Sequence, residues 1–222
     1  MSNDTKKKPK GKPRPGMGGG SRVKGKVKPD MTRLKTVWIT KPTPPFKSAY
    51  QVGQQIGEPG QFGKAYRCKR KRDKKIFAVK CISKARFYRL DRSAQRRQAL
   101  LIAMQGEIDI MRRLKHKYIV SMEECYEDKH TLYIVMEECK GGELFDRIRE
   151  KQRYKEKDAA PILKMVLEAL FYMHEYHRVV HCDLKPDNIL FVNKSENSPI
   201  KMIDFGMSKV LPRLRSLREL CG

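Results

Sequence analysis

From Tyr50 onward, short β-prone runs of apolar and polar residues recur at YQVGQQI, KAYRCKR and KIFAVKCI, separated by glycine and charged turn residues. Runs of this kind bounded by turn residues predict an antiparallel strand meander. DRSAQRRQALLIAMQGEIDIMRRLKH follows, with Leu100, Leu101, Met104, Ile108, Met111 and Leu114 spaced by three and four, which predicts an amphipathic helix. Two more strands are predicted within YIVSMEECYED and TLYIVMEEC. Past Gly141 and Gly142 the pattern turns helical, first in ELFDRIREKQ and then in KDAAPILKMVLEALFYMHEYH.

That second helix carries Ile162, Leu163, Met165, Val166, Leu167, Ala169, Leu170 and Met173, which point in nearly every direction around its axis. Apolar on all sides implies burial on all sides. The loops and short strands after it offer too few neighbours, so part of this helix is expected to stay uncovered, a patch that invites partner binding or aggregation.

Residues 1–47 have the opposite character, with Lys, Arg, Pro and Gly in runs such as KKKPKGKPRPGMGGG and almost nothing to bury. Such a segment cannot offset its ordering entropy and is expected to be a disordered basic tail. The whole chain has 222 residues and a formal charge of +25, which favours anionic partners. The tail is a candidate arm for one, or a nuclear-import signal, with a solubilising tail as the alternative. MSNDTKKKPK has no apolar stretch behind its charges and no segment approaches a membrane span, so an intracellular protein, cytoplasmic or nuclear, is expected. The six cysteines show neither a C-x-x-C pair nor zinc-site spacing and are read as reduced thiols.

Candidate chemistry lies at four places. IGEPGQFGKAY sits between two predicted strands, where glycines let backbone N–H groups approach phosphate oxygens; a plain hairpin is the alternative. In FAVK, Lys80 ends an apolar strand, where an ammonium is costly unless paired, and Glu107 of the long helix can be that partner; a solvated Lys and a solvated Glu are the alternative. In HCDLKPDN, Asp183 can accept a proton from a hydroxyl, Lys185 can neutralise charge on a transferring phosphoryl group, and Asn188 offers an amide oxygen to a metal. Asp204 of DFG adds a carboxylate suited to magnesium. Positioned hydroxyl, bridging metal and neutralising lysine are the parts of phosphoryl transfer.

In this ordered set the chain from about Tyr50 resembles the eukaryotic protein kinases of Ser/Thr type, and YEDKHTLYIVMEECKGGELFDRI and NILFVNKSENSPIKMIDFGMSK look most like the calcium-dependent and calcium/calmodulin-dependent group. The resemblance implies an α+β, bilobal fold with a β-rich N-lobe over 48–138 and an incomplete helical C-lobe over 139–222. It implies ATP and Mg2+ as cofactors. Ile56, Gly57, Gly60 and Gly63 would cover the nucleotide, Lys80 anchored by Glu107 would hold its phosphates, and Ala65, Ala78 and Leu190 would enclose adenine. Met136 would stand behind the adenine, with Glu137 to Cys139 as the hinge. Asp183, Lys185 and Asn188 would be catalytic, and Asn188 and Asp204 would bind the metal. Glu143 would contact ribose and, with Asp187, an Arg or Lys upstream of the target residue.

Several positions depart from the pattern. The glycine loop, G-E-P-G-Q-F-G, is one residue longer than usual and includes Pro59, which lacks an N–H. The stretch between Lys80 and Glu107 is also longer. Cys182 replaces the usual Arg, which argues against control through a phosphorylated activation segment, Ser216 included. No EF-hand loop occurs. The motifs expected after Cys221 and Gly222 are missing, so a truncated kinase is expected. A catalytically inactive kinase-like module that binds nucleotide or a partner, and a basic nucleic-acid binder, remain as alternatives.

Overall fold

The computed structural model describes residues 44–57, 59, 63–85, 93–151 and 154–211, within a unit spanning Val37–Gly222. Residues 1–43 of the tail expected over 1–47, and the chain beyond 211 with Ser216, lie outside the described residues. The architecture is α+β, as expected. A short helix α1 (Phe46–Ala49) leads into β1 (Tyr50–Ile56), β2 (Gly63–Arg70) and β3 (Ile76–Ser83). Helix α2 (Ala94–Arg113) separates these from β4 (Met122–Glu127) and β5 (Thr131–Met136). All five strands form one antiparallel sheet in the order β1-β2-β3-β5-β4.

The alternation of β5 explains its place inside the sheet. Leu132 and Ile134 enter the larger core, while Tyr133 and Val135 enter a smaller, aromatic one on the other face. Burying these four side chains stabilises the sheet by about 1.5–3 kcal/mol each. Register across the sheet pairs Ile56 with Ala65, Ala65 with Lys80, and Ala78 with Met136. Directly paired residues share a face, so Ile56, Ala65, Ala78, Lys80 and Met136 all lie on one side of the sheet.

One expected boundary moves. Phe46 is buried at 3% exposure and stacks on Tyr133 and Tyr50 at centroid distances of 4.3 and 5.3 Å. The packed chain therefore starts before residue 48, because a single aromatic side chain at the end of a polar segment completes the smaller core.

Below the sheet come α3 (Leu144–Lys151), α4 (Glu156–Phe171) and a π-helical turn at Tyr172–Tyr176. Then follow β6 (Val179–Val180), a 3-10 turn at Pro186–Asn188, β7 (Ile189–Phe191), β8 (Ile200–Met202) and β9 (Lys209–Val210). Strand β7 pairs with β8, and β6 with β9, both antiparallel. The core face of α2 comprises Met104, Ile108 and Met111 as expected, joined by Ile110 and continued by Leu114 at its C-terminal cap; the side chains of Leu100 and Leu101 lie outside the described residues. Helix α4 buries Val166 and Ala169, and Met173 follows in the π-turn, whereas Leu163, Leu167, Phe171 and Tyr176 are exposed and line a groove of about 950 Å³ with His116 and Tyr172. The incomplete cover expected from its all-round apolarity is thus seen. Among the described residues no helix is long and apolar enough to cross a membrane.

Candidate active site

Lys80 reaches the centre of the site from β3, and the helix α2 brings Glu107 to it across the longer intervening stretch. Lys80 Nζ lies 2.7 Å from Glu107 Oε1 and 3.3 Å from Asp204 Oδ1. Burial works against its ammonium, but the two carboxylates outweigh it and hold the Lys80 pKa above the usual lysine value. Glu107 sits one turn before Met111 on the buried face of α2, which places a carboxylate in the core where only a cation could match it.

Asp204 adopts a left-handed backbone with φ +60°, and its Oδ1 accepts the Gly206 N–H at 3.3 Å. Burial opposes ionisation, yet Lys80 and that N–H keep the carboxyl below the ordinary aspartate range. A Cβ on Gly206 would come within 3.3 Å of the same oxygen, so glycine keeps the turn open.

The loop after β6 is organised by His181, which is 2% exposed. Its Nε2 lies 3.1 Å from the Ile203 carbonyl, and its Nδ1 accepts the Asp183 N–H at 3.3 Å. One ring nitrogen donates and the other accepts, so the neutral form is required. Burial, the largest influence, agrees and pushes the His181 pKa down. His181 thereby ties the backbone of Asp183 to the residue just before Asp204. No sequence motif named above includes a role for His181, and its place two residues before Asp183 is the signal for one.

Asn188 closes the 3-10 turn and sends its amide nitrogen to Asp183, 2.8 Å from the carbonyl and 2.9 Å from Oδ2. Lys185 Nζ stands 3.1 Å from the same Oδ2, and Asp183 holds its pKa above the ordinary lysine value. Lys185 and Asn188 therefore both touch Asp183. The backbone joins them to the metal end as well, since Ile203 N donates to the Asn188 carbonyl at 2.9 Å.

With its nitrogen engaged by Asp183, Asn188 has its amide oxygen left for a cation, and Asp204 adds a carboxylate. Both donors are oxygen, which suits magnesium. Among the described residues no group of three or more His, Cys, Asp and Glu could hold a metal on its own. A two-donor site fits a cation that takes its other ligands from phosphate and water.

Of the remaining expected residues, Ile56, Ala65, Ala78 and Met136 share the Lys80 face of the sheet. Leu190 lies on β7 opposite Lys201 and forms a bridge with Glu143. Gly57 has φ +65°, and a Cβ on Gly63 would fall 2.0 Å from the Cys81 carbonyl, so both need glycine. Gly60 lies outside the described residues. Cys139 is half-buried, and burial first, then the Glu137 charge, pushes its thiol up to about 12. Glu143 has its carboxyl pKa raised by burial and by the charges of Asp146 and Asp187. The charges of Asp187 and of Asp146, in the first turn of α3, thus bear on Glu143.

Residues 50–222 match the family described as protein kinase domain. The chain is 38% identical over 192 residues to calcium-dependent protein kinase 32 of Arabidopsis thaliana, covering 85% of this chain and 34% of that protein. It is 40% identical over 169 residues to calcium/calmodulin-dependent protein kinase type 1 of Caenorhabditis briggsae, covering 76% and 44%. Against calcium/calmodulin-dependent protein kinase type IV of Rattus norvegicus the identity is 36% over 178 residues, covering 80% and 34%. The chain therefore spans about a third to under half of the length of these curated relatives.

Proposed function

The chain belongs to the protein kinase family, and on that footing we propose that it transfers the γ-phosphoryl group of ATP to serine or threonine hydroxyls of proteins. The observation that carries this is the contact of both Lys185 and Asn188 with Asp183, which is joined through His181 and Ile203 to Asp204 and Lys80. Asp183 accepts the hydroxyl proton, and Lys185, whose ammonium already faces Oδ2, offsets charge on the phosphoryl oxygens. Asn188 and Asp204 would hold magnesium, which when bound neutralises the nucleotide's phosphates. Lys80, kept cationic by Glu107 and Asp204, is positioned to bind phosphate oxygens.

Substrates with Arg or Lys upstream of the target hydroxyl suit the crowding of Glu143, Asp146 and Asp187. Their mutual repulsion is relieved by a guanidinium, which a neutral side chain cannot do.

The test is transfer from labelled ATP with magnesium to a serine peptide bearing upstream Arg. Transfer is expected from the chain as it stands, with Asp183→Asn abolishing it while ATP binding persists. Nucleotide binding without any transfer would instead support an inactive kinase-like module. Glu143→Gln should raise KM for the Arg peptide and leave KM for its Ala counterpart unchanged.

A further inference from the structure

Two consecutive carboxylates follow β5, and each is claimed by a cation from a different part of the molecule. Glu137 Oε1 lies 2.7 Å from Lys201 Nζ on β8, and the same oxygen accepts the Ser121 N–H at 2.7 Å. Glu138, at 4% side-chain exposure, is paired through Oε1 with the Arg67 guanidinium on β2 and lies 3.5 Å through Oε2 from Lys140. Neither pairing follows from local spacing, since Lys201 and Arg67 are each more than sixty residues from their partners.

Residues 118–121 lie between β8 and Glu137 as a strap. On one side Met202 N donates to the Tyr118 carbonyl at 2.8 Å and Val120 N to the Met202 carbonyl at 3.0 Å. On the other side Glu137 N donates to the Ser121 carbonyl at 3.1 Å. Lys201 Nζ also lies 3.4 Å from the Ile119 carbonyl, so its ammonium bonds to the strap and to Glu137 at once. Its side chain is 13% exposed, an arrangement an ammonium tolerates only with such partners. Lys201 pairs directly with Leu190 and precedes Asp204 by three residues, so it stands between the adenine end and the metal end of the site.

We propose that Lys201 and Arg67, acting on Glu137 and Glu138, form a two-sided clamp that holds segment 137–139 in register with β8 and β2 and so slows nucleotide release. This rests on the nucleotide site described above. Lys201 is a positioning residue: it acts through Glu137 and Ser121, and its loss lets segment 137–139 move relative to the strand that delivers Asp204.

The test compares the full chain with Lys201→Met, which keeps the stem and removes the charge, and with Lys201→Arg, which restores the charge. Hydrogen exchange and the dissociation rate of a fluorescent ATP analogue are both measured. Lys201→Met is expected to speed exchange over 118–122, 136–140 and 200–206 and to raise the dissociation rate about fivefold to tenfold, with β1 and β2 unaffected. Lys201→Arg should return both near the starting values. Exchange that is unchanged, or faster everywhere alike, overturns the clamp, as does faster local exchange with an unchanged dissociation rate. If the starting chain binds no ATP analogue, the kinase function fails, and the local exchange pattern with its Arg rescue decides the clamp alone.

Discussion

Lys80 Nζ sits 2.7 Å from Glu107 Oε1, and Glu107 is only 3% exposed. Removing the ammonium strands a buried carboxylate. Lys80→Met should therefore destabilise the fold by about 3 kcal/mol, the low end of the range for broken buried pairs because Lys80 is itself partly exposed. Lys80→Met combined with Glu107→Leu should recover most of that loss, while neither variant transfers phosphate. Urea denaturation alongside the transfer assay separates the two effects.

His181 predicts a pH dependence. Its folded pKa lies below the ordinary histidine value, so between the two the unfolded chain binds more protons than the folded one. The contribution to stability is fully present above about pH 6.5 and is lost as pH falls through the folded pKa. His116, also shifted down chiefly by burial, acts in the same direction. Melting temperature followed from pH 7.5 to 5 should fall, and His181→Asn should flatten that slope without abolishing it. A slope unaltered by the substitution would mean that the ring is not held neutral.

Helix α4 and its π-turn offer a contrast in packing. Met173 is fully buried, so Met173→Ala should cost about 2–5 kcal/mol. Leu163, on the open side at 58% exposure, should cost under about 0.5 kcal/mol when changed to Ala. Equal losses at the two positions would mean that the groove is covered in solution.

The thiols should react slowly. Burial is the first cause that pushes Cys68, Cys125 and Cys139 up to about 12 and Cys81 up to about 11, leaving little thiolate at pH 8. Alkylation followed peptide by peptide should modify these four far more slowly in the folded chain than in urea. Rapid labelling of Cys139 in the native protein would contradict the packing around segment 137–139.

Much of the fold was legible along the chain because strand and helix periods are local. The five sheet strands appear where the β-prone runs placed them, within four residues at their ends and without any offset for β1, and α2 spans most of its apolar pattern. Helix α4 shows the limit. Its composition reads as buried on every side, but a periodicity records only which positions are apolar, and whether a neighbour covers them depends on what the rest of the chain supplies. Phe46 is the reverse case, since a polar segment hid a residue whose partners, Tyr50 and Tyr133, lie outside it.

The sequence by itself determined the kinds of element, their order and the residue types needed for phosphoryl transfer at Lys80, Glu107, Asp183, Lys185, Asn188 and Asp204. Only the tertiary structure decided how those residues are held: His181 between Asp183 and Ile203, and Lys201 and Arg67 on Glu137 and Glu138. The reason is one of range. Backbone periods and motif spacing act over a few residues, whereas a hydrogen bond or ion pair is set by distance in space, and Lys80 and Asp204 meet at 3.3 Å with 124 positions of chain between them.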